Sequence, residues 1–119
     1  MLLEDAVITT IHDSARFLKR FKEEAGASGI QFVPRKANLD TLAYLGISIG
    51  DAENVIFSLS AKDYESGPAS DHDGSSGEVW VFGTSVDATN IYIKIKLDVG
   101  RAACISFHQA QYPLRFPLR

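Results

Sequence analysis

The sequence predicts an α+β fold, with N-terminal helices packed on a small antiparallel β-sheet. Two observations carry this. Apolar residues recur at helical spacing through the first half of the chain, and alternate with polar ones along short segments of the second half. A polar, Gly/Ser-rich run divides the halves.

Ala6, Ile8, Ile11, Ala15, Phe17, Leu18 and Phe21 mark a first helix from Leu3 to about Ala25, stopped by Gly26. Ile30-Gln31-Phe32-Val33 reads as a short extended piece, because Pro34 disfavours helix at the residue before it. A second helix spans about Ala37 to Leu45. Asn38 is its candidate cap, Leu39, Leu42 and Leu45 are its apolar stripe, and Gly46 is its end. A third begins near Asp51 as N-cap, turns Val55, Ile56 and Leu59 inward and reaches about Tyr64. Residues Glu65 to Gly77 hold almost no apolar content and read as a long exposed loop. Strands follow at Glu78–Phe82, Asn90–Leu97 and Ala102–Phe107, joined by turns near Asp87 and Gly100 in an antiparallel meander. The tail from Gln109 to Arg119, with Pro113 and Pro117, is expected to pack as an irregular cover.

With 119 residues the chain suits a single domain, taken as residues 1–119. One cysteine, Cys104, excludes an internal disulfide, and no apolar run approaches the ~18 residues of a membrane span. The N-terminus lacks the pattern of a signal peptide, so the expected compartment is the cytoplasm, with no membrane partner. The net charge is −3, yet it is unevenly spread: residues 1–75 carry 7 Lys/Arg against 12 Asp/Glu, and residues 76–119 carry 5 against 3. A phosphate-binding surface therefore belongs to the C-terminal part.

Strand alternation gives that surface its residues. On the middle strand Ile91, Ile93, Ile95 and Leu97 share one face, and Tyr92, Lys94 and Lys96 share the other. The third strand separates Ala103, Ile105 and Phe107 from Cys104, Ser106 and His108, and the first separates Trp80 and Phe82 from Val79 and Val81. With the apolar faces on the helices, the exposed face offers Tyr92, Lys94, Lys96, Ser106 and His108, with the aromatic Trp80 expected beside them. Rings stack on bases and lysines meet phosphates. RNA cleavage without a metal needs a base for the 2′-OH, an acid for the 5′-oxygen and cations for the phosphoryl charge. His108 suits either proton role, Lys94 and Lys96 the charge, and Tyr92 a donated proton or hydrogen bond. Asp71-His72-Asp73 holds ligand-type residues, but neighbours in a flexible loop seldom form a metal site, so no metal and no cofactor are expected. Cys104 reads as a buried structural thiol and His12 as a surface residue. No phosphate-loop, dinucleotide or zinc-finger motif is present.

From Val33 onward the chain resembles the MqsR toxins of the RelE-like ribonuclease group. The matching stretches are Leu39–Gly46, Val55–Tyr64, Val79-Trp80, Ile91–Ile95 and Ile105–His108. The resemblance implies a RelE-like fold and a messenger-RNA endoribonuclease expressed with a neutralising antitoxin. It aligns the family's active-site tyrosine with Tyr92 and its C-terminal lysine with His108. A second family lysine falls on Ser66 and a glutamine on Val81, which leaves Lys94, Lys96, Lys62 or residues of the polar loop to supply the missing contacts. The expected catalytic set is His108, Tyr92 and Lys94, and the expected substrate contacts are Lys96, Trp80, Ser106 and Lys62. The rival reading is a non-catalytic module of the same fold that binds RNA or protein.

Overall fold

The computed structural model describes residues 9–70, 74 and 76–119. In chain order they form α1 (Ile11–Ser28), β1 (Ile30–Phe32), α2 (Lys36–Leu45) and α3 (Ile49–Phe57). A 3₁₀ turn (Ala61–Asp63) then leads to β2 (Tyr64–Ala69), β3 (Glu78–Val86), β4 (Thr89–Asp98) and β5 (Arg101–Gln109). The helices pack on one face of a five-stranded sheet of order β1-β5-β4-β3-β2, as the α+β reading expects. The antiparallel meander is β3-β4-β5. Two further strands extend it. β1 pairs with β5 in parallel, and β2 pairs with β3, so the sheet is mixed.

Local chemistry sets the helix ends. Thr10 caps α1 in a reciprocal box with Asp13, and the helix runs through Gly26 to Gly29, whose φ of 83° suits glycine. The expected start at Leu3 lies outside the described residues. Ser48, not Asp51, caps α3; Asp51 sits three residues on and completes the box by accepting from the Ser48 N–H at 2.9 Å. α3 stops at Phe57, short of the expected Tyr64. β3 and β4 join through Asp87 and Ala88, both at positive φ, the primed-turn geometry that matches strand twist.

Phe17, Leu18, Phe21 and Ala25 form the buried face of α1. Phe17 stacks on Trp80 with ring centroids 4.7 Å apart. Ile91, Ile93 and Ile95 fill the sheet side of this core, each ring or branched side chain contributing about 2 kcal/mol by burial. α2 keeps two residues of its expected stripe, with Leu42 buried and Leu45 packed against the core, and departs from it at Leu39 and Asn38. Leu39 is exposed, whereas Asn38, Thr41 and Leu42 are buried.

Asn38 is no cap. Its carboxamide reaches the outer edge of β5 beyond the end of β1. Nδ2 donates to the carbonyls of Val33 (2.9 Å) and Ile105 (3.0 Å), and Oδ1 accepts from the Phe107 N–H (2.9 Å). Thr41 Oγ1 accepts from the Gln109 N–H one turn later. Replacing Asn38 by leucine strands two buried backbone groups of β5. We expect Asn38→Leu to cost about 3 kcal/mol in denaturant unfolding. A loss below about 1 kcal/mol would show that water or relaxation replaces these bonds.

Candidate functional site

The sheet face opposite the helices carries the predicted polar set. β4 places Tyr92, Lys94 and Lys96 there, between Ile91, Ile93 and Ile95 on the core side. Register does the rest. Tyr92 lies opposite His108 on β5 and Gly83 on β3; Lys94 lies opposite Ser106 and Val81; Lys96 lies opposite Ala103 and Val79.

Several expectations fail. Lys96 and Ser106 lie on this face but are buried, at 3% and 4% exposure, rather than exposed. Trp80 pairs with Ile95 and so belongs to the core face; it is 4% exposed, stacked on Phe17, and its indole N–H donates to Glu78. It is not available to substrate. Cys104 does not share a face with Ser106 and His108. The β4–β5 register shifts between Lys94 and Ile95, so Ser106 faces Lys94 while Cys104 faces Ile95, and Ile105 is the inserted residue. Cys104 is fully buried, which pushes its thiol up to about 12, and Ala103 and Ile105 line the open face instead. Lys62 sits exposed on the 3₁₀ turn and lines neither hollow described below. His12 is an exposed residue of α1. Asp71, His72 and Asp73 lie outside the described residues. Among the described residues no three His, Cys, Asp or Glu side chains come together as metal ligands.

Two adjoining hollows occupy this face, of about 690 and 670 Å³. Both are lined by Arg35, Ser66, Tyr92 and Lys94, which form the saddle between them. The first continues to Lys96, Arg101 and Val81, and the second to Ser106, His108, Tyr112 and Arg115. The expected polar loop contributes a wall: its first residues form β2, and the backbone of that strand edges the first hollow at Gly67 and Pro68. The tail is the second wall, as expected of a cover. Glu65 accepts from the backbone N–H groups of Arg115 at 3.0 Å and Phe116 at 3.1 Å, and Arg119 pairs with Asp63 at 3.0 Å. Leu114 lies over Gly83, where a Cβ would come within 2.7 Å of its methyl group.

Charge and proton positions follow from these contacts. The hollows are lined by Arg35, Lys94, Lys96, Arg101 and Arg115 against one carboxylate, Glu65, which is already engaged by the tail amides. Burial, and secondarily the charge of Glu65, raises the Tyr92 pKa above its ordinary value, so its phenol stays protonated and serves as a donor. The His108 ring stacks on Tyr92, centroids 5.2 Å apart and 15° from parallel. Its Nδ1 lies 2.9 Å from the Gln109 carbonyl oxygen. A carbonyl only accepts, so Nδ1 carries the hydrogen and the neutral ring leaves the Nε2 lone pair available.

Arg35 and Glu65 were not flagged by sequence. Arg35 follows Pro34 as the N-cap residue of α2, a position whose neighbours across the sheet are set only by tertiary structure. Glu65 opens a polar run that looks like loop throughout.

A family model described as "Motility quorum-sensing regulator, toxin of MqsA" matches residues 14–109, most of the chain. No curated protein and no solved structure matches.

The Tyr92 environment is open to titration. The folded chain holds this phenolic proton more tightly than the unfolded one. Its contribution to stability is therefore present below the ordinary tyrosine pKa of about 10 and is lost as pH rises through the folded-state value. In Glu65→Gln the Tyr92 transition, read as tyrosinate absorbance by difference against Tyr92→Phe, should move to lower pH yet stay above that of free tyrosine. No movement would mean that Glu65 does not bear on this ring.

Proposed function

The chain belongs to the MqsR toxin family, and from that premise we propose that it is the toxin of a toxin–antitoxin pair whose open sheet face cuts messenger RNA endonucleolytically. The observation that carries this is the Nδ1 bond of His108 to the Gln109 carbonyl, which presents a bare Nε2 beside a protonated Tyr92 in a hollow lined by cations. Nε2 takes the proton of a ribose 2′-OH. The 2′-oxygen attacks phosphorus, the P–O5′ bond breaks, and the phenol of Tyr92 donates to the departing 5′-oxygen. Lys94 and Arg35, at the saddle, hold the charge that grows on the phosphoryl oxygens. Lys96 lies at the floor of the first hollow and Ser106 in the second, where each extends contact with the substrate. The products are a 2′,3′-cyclic phosphate and a 5′-hydroxyl. His108 then returns its proton to solvent and Tyr92 regains one. No step needs a metal or another cofactor.

The proposed partners are messenger RNA and a neutralising antitoxin, and the proposed compartment is the cytoplasm, where messenger RNA is translated. We take residues 1–119 to act as one domain. Among the described residues no helix is long and apolar enough to cross a membrane. One observation favours a second reading, a non-catalytic module that grips RNA or protein on the same face. Ser66 and Val81 line the first hollow where the family resemblance places a lysine and a glutamine.

Induced expression with mapping of RNA 5′ ends separates the two. Wild type should arrest growth and create new 5′-hydroxyl ends. His108→Ala should relieve arrest and slow cleavage by purified protein at least about 100-fold. Cleavage should persist in EDTA. Soluble wild-type protein that binds RNA without producing new ends would favour the binding module, and loss of cleavage in EDTA would mean a metal-dependent reaction.

A further inference from the structure

A third hollow, of about 510 Å³, opens on the far side of His108. His108, Ala110 and Gln111 line both it and the middle hollow, so the three adjoin in a track that leaves the open sheet face over the end of β5 and reaches α2. The chemistry changes along this track. One end is basic, with Lys96 and Arg101. Past His108 the lining cations give out, and the charged group of the third hollow is Asp40, already paired with Lys36 at 2.6 Å. Exposed aromatic surface flanks His108 in the middle hollow and in the third. Tyr112 in the middle hollow is 80% exposed and Tyr44 in the third is 70% exposed. The third hollow offers a phosphate no lining cation, whereas a flat ring gains a face on which to stack.

We propose that Tyr112 and Tyr44 form a nucleobase platform beside the cleavage point, so that bases on one side of the scissile bond stack on these rings while phosphates on the other side meet Arg35, Lys94 and Arg101. The inference rests on the RNA-cutting reading and deepens it. Bases inside a duplex have their faces occupied, so the substrate is a single strand with its bases turned outward. Because His108 lies where the basic and aromatic ends meet, the phosphate it serves is the junction between a held backbone and a stacked base.

The test uses the full chain and two fluorescent deoxy-oligomers of about twelve nucleotides, oligothymidine and an abasic strand with the same number of phosphates, neither of which has a 2′-OH to be cut. Wild type should prefer the base-bearing strand by about tenfold in fluorescence anisotropy. The double variant Tyr44→Ala with Tyr112→Ala should lose most of that preference and keep its affinity for the abasic strand. Phenylalanine at both positions should retain it. Thermal melting of each variant should match wild type, since both rings stand in solvent. RNA cleavage is measured in parallel. Equal binding of the two strands by a wild type that still cuts RNA would overturn the platform and leave the nuclease standing. An undiminished preference in the alanine variant would do the same. A variant that keeps its base preference but escapes a co-expressed antitoxin would make these rings a protein-docking surface and overturn the assignment to RNA. A wild type that neither cuts RNA nor binds either strand would remove both readings together.

Discussion

Strand β5 loses its neighbour halfway along its outer edge, and the carboxamide of Asn38 takes over where that neighbour stops. β1 covers β5 from Ala102 to Cys104, and the Val33 N–H adds a last bond to the Cys104 carbonyl. Pro34 has no N–H to continue the ladder. Beyond it Asn38 meets Ile105 and Phe107, and Thr41 meets Gln109. These bonds hold β5 at its bulge. The bulge decides which of its side chains look into the core, because a single added residue reverses strand alternation. Cys104 and Phe107 are turned inward, and Ser106 and His108 face the open side. A slip of one residue would carry His108 into the aromatic core and a large apolar side chain into the hollow. A side-chain amide of α2, bonded to the outer edge of β5, thus governs the position of the site's histidine.

The same argument explains how a chain of net charge −3 carries a basic face. Several of the acidic residues are engaged elsewhere. Asp13 and Asp51 accept backbone N–H groups at helix starts, Glu78 pairs with Arg20, and Asp40 pairs with Lys36. Glu65 borders the site, but its two oxygens are occupied by the tail amides. Exposed charges more than about 8 Å apart are largely screened at physiological salt, so a phosphate in the hollow responds to Arg35 and Lys94 rather than to the chain's total.

What the sequence reveals of this arrangement is what short range determines. The alternation of β4 is complete within ten residues, and so Tyr92, Lys94 and Lys96 are legible on one face. The helical stripe of α1 and the stop at Gly46, with its left-handed φ of 68°, are equally local. Features that depend on a distant partner are not. The parallel pairing of Ile30–Phe32 with β5 joins segments some seventy residues apart. β2 looks like loop because Ser66, Gly67 and Pro68 have poor strand propensity, and only the neighbouring β3 gives them a ladder. Trp80 stands between Val79 and Val81, so both faces of β3 look apolar in sequence, and its own face is set by its register with Ile95. Leu39 looks like core and Asn38 like surface on hydrophobicity alone. The open polar edge of β5 reverses them, since unsatisfied backbone groups cost more than an exposed leucine.

Rigidity is the last link from fold to chemistry. A catalytic imidazole must present one nitrogen at a fixed place, and that requires both its ring plane and its tautomer to be held. Here the ring plane is set by Tyr92, stacked from the adjacent strand, and the tautomer by the carbonyl of Gln109. That carbonyl is in turn held because the Gln109 N–H is bound by Thr41 and the next residue's N–H by the Asn90 carbonyl. Every group that orients His108 therefore belongs to β4, β5 or α2, none of which needs to move for the site to form. The tail, pinned through Glu65, supplies the one wall that is irregular. Preorganised donors act on a developing charge without reorganising, which is what a histidine, a tyrosine and fixed cations must do to take on phosphoryl chemistry.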